Sequence, residues 1–203
     1  LAEISKLTSV TLLSMVVNFC LRAAGFLIFT EAEATKVIID ADTAATAPLG
    51  LDVDDNLAVA YLSASPGFEL LGVTTTYGNA PLFLTCPDAR RTVEFLFPPE
   101  SRPPVKCGSG FGFSSYSSSP PSEAATFLAE QARAYPGGVV WIAVGALDNI
   151  AQALFHFPDV APLVKRIVMM GGDLRGRPEL NFAVSPSAAS YVLRHTGVTK
   201  TLL

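Results

Sequence analysis

The sequence predicts a doubly wound α/β domain, a mainly parallel sheet with helices on both faces. Three observations carry that prediction. Short apolar runs alternate with segments of helical spacing along residues 36–203. Those runs lack polar alternation, the pattern of strands covered on both faces. Glycine or asparagine closes three of them, at Gly78-Asn79, Gly145 and Gly171-Gly172, where a strand must turn into the next segment. Hydrophobic residues make up 50% of the chain and charged residues 16%, enough apolar surface to bury a core and to exclude global disorder.

Lys36-Val-Ile-Ile-Asp40 is the first strand. Residues 54–63 have helical spacing, with Leu57, Val59, Ala60, Tyr61 and Leu62 apolar. Residues 68–75 read as a second strand, 88–97 as a helix and 104–107 as a short strand. A Ser/Pro loop over residues 114–122 comes next, and Ser122 suits the cap of a helix running to Ala134. Residues 138–144 form a continuous apolar strand, 149–155 a helix, 166–170 a strand and 187–195 a helix. Residues 200–203 begin another strand. In such sheets ligands sit beyond the carboxyl ends of the strands, so the residues after Ile39, Thr75, Val144 and Met170 line one candidate site.

The first 35 residues are set apart as an N-terminal apolar extension. From Leu7 to Phe29 only Arg22 is charged, and Ala32-Glu33-Ala34 has the form of a small-x-small cleavage site. Arg22 fits poorly with a secretory signal and with a membrane span, which leaves a non-native extension as the third reading. The location expected is cytoplasmic, or secretory if residues 1–34 are a signal peptide. Fourteen Lys and Arg against 18 Asp and Glu give a net charge of −4, with no basic excess to hold a nucleic acid. Cys20, Cys86 and Cys107 are odd in number and far apart, so neither a disulfide framework nor a zinc site is expected; they read as buried or free thiols. His156 and His195 read as structural or surface residues.

The chemistry concentrates after the first strand. Five of the 18 acids, Asp40, Asp42, Asp52, Asp54 and Asp55, fall within 16 positions, and no Lys or Arg occurs between Lys36 and Arg90. Crowded carboxylates without local bases must protonate, find a distant Arg, or hold a cation. Oxygen ligands alone favour Ca²⁺ or Mg²⁺ over zinc. Capping of the next helix by Asp54 and Asp55 explains two of the five. Gly108-Ser-Gly-Phe-Gly112 lacks the spacing of a dinucleotide loop, and no Walker loop, nucleophile elbow or zinc-protease motif is present.

Four ordered blocks then resemble the inosine/uridine-preferring nucleoside hydrolases. They are Val37-Ile-Ile-Asp40-Ala-Asp42 with Gly50-Leu-Asp52-Val-Asp54-Asp55-Asn-Leu-Ala58; Leu71-Gly-Val-Thr-Thr-Thr-Tyr-Gly-Asn79; Val144-Gly145-Ala-Leu-Asp-Asn149-Ile-Ala; and Val168-Met-Met170-Gly-Gly172 with Glu179-Leu-Asn181. The resemblance covers residues 36–203. It implies hydrolysis of the N-glycosidic bond of purine or pyrimidine ribonucleosides in nucleoside catabolism and purine salvage. It also implies a Ca²⁺ ion held by Asp42, Asp55 and the carbonyl of Val144. Asp42 would be the general base, with Asp54, Asn79, Met170, Glu179 and Asn181 around the ribose. The partner expected is a small-molecule ribonucleoside, with a homo-oligomer left open for the full-length form.

The sequence departs from the family in four places. Nine residues separate Asp42 from Asp52, more than the family's tight turn. Ser185-Pro-Ser-Ala-Ala189 stands where Asp-Pro-Glu-Ala-Ala is common, and the His-Gly pair of the middle block is missing around Gly108. The family also continues past the point matching Leu203, with a further Ca²⁺-ligating Asp and, in many members, a leaving-group histidine. Residues 1–203 are therefore expected to be C-terminally incomplete, with an exposed sheet edge, weak metal binding and little activity. Two rival readings are a haloacid-dehalogenase-like phosphoryl-transfer enzyme using Mg²⁺ and a non-catalytic α/β binding protein.

Overall fold

The computed structural model describes residues 34–45, 52–108, 120–173 and 175–203. The apolar extension up to residue 33, the middle of the long aspartate loop (46–51) and most of the Ser/Pro loop lie outside them. Among the described residues, six strands form one sheet in the order β3-β2-β1-β4-β5-β6, and every neighbouring pair is parallel. The strands are β1 (Thr35–Ala41), β2 (Phe68–Thr75), β3 (Val105–Cys107), β4 (Val139–Ala143), β5 (Arg166–Met169) and β6 (Lys200–Leu202). The α-helices among the described residues are α1 (Asp54–Ala64), α2 (Leu82–Leu96), α3 (Glu123–Ala134), α4 (Asp148–His156), α5 (Leu180–Val184) and α6 (Pro186–Arg194). The doubly wound architecture expected from the alternating runs is the one observed.

The apolar runs go where both faces are covered. Val37 to Ala41 of β1 and all five residues of β4 are buried. Ile38, Trp141, Ala143, Ile167 and Met169 share one core with α3, α4 and α6. At about 25 cal/mol per Å² of apolar area, this burial is the main force holding the sheet between its helices. Ser122 caps α3 as expected, its side chain accepting the Ala125 N–H at 3.1 Å. Among the described residues no helix is long and apolar enough to cross a membrane.

Three expectations need correction. α2 begins at Leu82, six residues before the sequence suggests, and runs through Pro87. The hydrogen bond Pro87 cannot make falls to the carbonyl of Phe83, a residue 73% exposed, while Thr85 and Cys86 are buried. Residues 180–184, where the sequence pattern predicts no helix between the strand at 166–170 and the helix at 187–195, form the short helix α5. Cys86 and Cys107 are joined in a disulfide between α2 and the end of β3, not free thiols. Their 21-residue separation gives no sign of it, because only the fold of α2 against β3 brings them together.

Candidate active site

The strand order reverses between β1 and β4, and the carboxyl ends of these two strands frame the site. Asp40 is opposite both Thr74 of β2 and Ala143 of β4. Asp42, just past β1, is 1% exposed. Its Oδ2 accepts the Asn79 backbone N–H at 2.6 Å, and its carboxyl lies within hydrogen-bonding reach of Asp55. Two glycines make room for it. A methyl on Gly145 would sit 2.6 Å from Asp42 Oδ1 and 2.8 Å from Thr76 Cγ2, and one on Gly78 would collide with Asp42 Oδ2. In sequence these glycines read as ordinary turn residues; their use as walls of a carboxylate slot shows only in three dimensions.

Asp54 and Asp55 are the first residues of α1, and Asp52 Oδ1 accepts the Val53 N–H at 2.8 Å just before it. Asp55 points inward and is buried, with Oδ2 accepting from Asn79 Nδ2 at 3.1 Å. Asn79 therefore bridges both aspartates. Burial raises Asp55 well above the usual carboxylate range, and the charges of Asp42, Asp54 and Asp52 add to it. Burial likewise raises Asp42. Asp54 is pushed up to about 6 by burial and by neighbouring Asp52. Oδ1 of Asp42 and Oδ1 of Asp55 are both buried without a hydrogen-bond donor.

The other wall comes from β4 and β5. Asn181, at the start of α5, donates its Nδ2 to the Val144 carbonyl at 2.8 Å and to the Met170 carbonyl at 3.2 Å. Glu179 is the N-cap of α5. Its Oε1 accepts the Asn181 N–H at 2.8 Å, and its Oε2 accepts from Gly172 at 2.9 Å and Phe182 at 3.2 Å. Val144, Met170, Glu179 and Asn181 thus form one cluster, while Asp42, Asp54, Asp55 and Asn79 form another. Gly145, next to Val144 and against Asp42, joins them.

Sequence reasoning assigns no role to Asn149. Fully buried, it donates its Nδ2 to Asp40 Oδ1 at 2.8 Å and to the Thr75 carbonyl at 2.9 Å, tying β1 to β2. Thr74 also donates to Asp40 Oδ1, at 2.6 Å. Burial still lifts Asp40 to about 7.

Residues 37–203 match the family model described as inosine-uridine preferring nucleoside hydrolase. The chain belongs to this nucleoside hydrolase family. It is 30% identical over 188 residues to uridine nucleosidase 1 of Arabidopsis thaliana, an alignment covering 77% of this chain and 52% of the relative. Its fold matches a purine-preferring ribonucleoside hydrolase from Gardnerella vaginalis with a TM-score of 0.69 and 26% identity, over 83% of this chain and 60% of that one. A plant nucleoside hydrolase matches with a TM-score of 0.70 at 23% identity, over 84% and 60%. The chain spans little more than half the length of the curated relatives it matches. Family membership displaces the haloacid-dehalogenase reading, and nothing favours the non-catalytic one.

The site's donor set can be weighed against a hard cation. Among the described residues no three His, Cys, Asp or Glu side chains gather as a ready metal cluster. Two buried carboxylates with one oxygen each that accepts no hydrogen bond, and the Val144 carbonyl one residue before the Gly145 that packs on Asp42, are all oxygen donors. That set suits Ca²⁺, which accepts carboxylate and carbonyl oxygens together.

Proposed function

We propose that this chain carries the site of a ribonucleoside hydrolase, which cleaves the N-glycosidic bond to give ribose and a free base with the help of Ca²⁺. The observation that carries the reading is the buried Asp42–Asp55 pair at the strand crossover, with two oxygens lacking donors. Asp42, Asp55 and the Val144 carbonyl would hold the ion. When bound there, Ca²⁺ supplies positive charge that acidifies water and steadies sugar hydroxyls.

Asp42 acts as the general base. Its Oδ2 is fixed by the Asn79 N–H, which leaves Oδ1 to take a proton from the attacking water. Asp54 faces the ribose from α1, and Asn79 keeps its side-chain oxygen for a ribose hydroxyl. Glu179 and Asn181 approach the sugar from the opposite wall, and Met170 lines the pocket between them. Carboxylates on both sides stabilise the positive charge that develops on the sugar ring as the bond to the base breaks.

The test, on a chain of the family's full length, is release of base from inosine and uridine, with and without EGTA, set against the 2′-deoxy forms. Activity that disappears with EGTA and falls steeply on 2′-deoxynucleosides supports the reading, because a site built for hydroxyls is left with unpaired polar groups. Equal turnover of ribo and deoxy substrates, or activity indifferent to EGTA, removes it.

A further inference from the structure

We infer that Asn56 is a positioning residue that sets the spacing of Asp42 and Asp55 by bracing the loop between them against α2; the inference rests on the reading of those two aspartates as the cation-holding pair. Asn56 directly follows Asp55, and its planar amide is used at both ends. Oδ1 accepts the Ala45 N–H at 3.3 Å, three residues past Asp42. Nδ2 donates to Asp88 Oδ2 at 2.7 Å and to Thr92 Oγ1 at 2.6 Å, both on α2.

α2 reaches the same region at a third point. Thr43 donates its hydroxyl to the Thr85 carbonyl at 3.2 Å, and Thr85 donates its own to the Thr76 carbonyl at 2.7 Å. Thr85, Asp88 and Thr92 recur at steps of three and four, so they form one stripe along α2. That stripe touches the segment after Asp42, the end of β2 and the residue after Asp55.

The brace answers a specific problem. Nine residues lie between Asp42 and Asp52, and a longer loop has more freedom to lose before two carboxylates can share a cation. Hydrogen bonds at Thr43 and Ala45 fix the start of the loop, and Asn56 fixes the helix beyond its end to the same support. The position needs an acceptor and two donors on one short head. Alanine offers none, and aspartate would set a second carboxylate against Asp88.

The experiment compares the chain with Asn56→Ala, Thr92→Val and, as a packing control, Val192→Ala, whose side chain is fully buried on α6. Two readouts are taken: hydrogen exchange of the Ala45 amide without metal, and Ca²⁺ affinity by calorimetry. Asn56→Ala should lose protection at Ala45 and bind Ca²⁺ about tenfold more weakly. Thr92→Val keeps the loop bond and removes one tether, so about threefold weaker binding is expected. Val192→Ala should lower the melting temperature and leave the affinity alone.

Unchanged affinity in Asn56→Ala and Thr92→Val, or equal weakening in Val192→Ala, overturns the inference. Should Asn56→Ala fail to fold, Thr92→Val against Val192→Ala decides it by the same comparison. A wild-type chain that takes up no Ca²⁺ sinks the cation reading itself. The exchange measurement then judges the brace alone, and retained Ala45 protection in Asn56→Ala overturns it.

Discussion

On the β1–β2 side of the crossover, Asp42 and Asp55 each keep a buried oxygen without a donor, whereas on the β4–β5 side Asn181 and Glu179 use their polar atoms on the protein's own backbone. The first wall is charged and incomplete, and its carboxylates are raised by burial and, at Asp55, by one another. The second is hydrogen-bonded before any ligand arrives. A proton or a cation relieves the first wall and leaves the second unaffected. The contrast separates a site that must be loaded from a surface that is already shaped.

The sharpest way to break that contrast is Asp42→Asn, which keeps the shape and removes the basic oxygen. In a chain of the family's full length, turnover of inosine or uridine should fall about a thousandfold, mostly in kcat. Near-normal kcat would take the base role away from Asp42. Gly78→Ala leaves every charge in place and closes the slot around Asp42. Steady-state assays should show a loss of about a hundredfold, the scale expected when a reacting group is displaced by an ångström.

Asp40→Asn tests the loaded side through stability. A buried carboxyl lifted to about 7 binds its proton more tightly folded than unfolded, so folding loses stability as pH rises from about 4 towards 7. Metal-free urea melts should show wild type falling between pH 5 and pH 8 by on the order of 2 kcal/mol relative to Asp40→Asn. Parallel curves would place the charge elsewhere. On the shaped side, Glu179→Ala should cost about 1 kcal/mol through the lost α5 cap, and that cost should be the same with Ca²⁺ or EGTA. A cost that depended on Ca²⁺ would couple the two walls.

The charged wall is far more legible in sequence than the shaped one. A run such as Val37-Ile-Ile-Asp40 declares a buried strand, and five acids without a base declare an electrostatic problem at its end. Both signals are local. Glu179 is marked only by the family resemblance, because its carboxylate reaches back to three backbone N–H groups that no local pattern brings together, and Asn181 depends on carbonyls 37 and 11 residues away. Pro87 hides the first turns of α2, and with them the Thr85 contact that reaches the aspartate loop. Gly78 and Gly145 look like turn glycines because a clash with Asp42 is a property of space, not of spacing.

The order of the strands also sets an order of assembly. β1 can pair with β2 soon after both leave the ribosome, but its other neighbour, β4, comes about a hundred residues after β1, and the Asn149–Asp40 bond spans 109 positions. Until then Asp42 has its Gly78 side without its Gly145 side, and Val144 is not yet beside it. Contacts this distant in sequence close late and slowly. In a growing or refolding chain, cation affinity should therefore appear in step with the docking of β4, which makes metal uptake a clock for completion of the sheet rather than a nucleus for it.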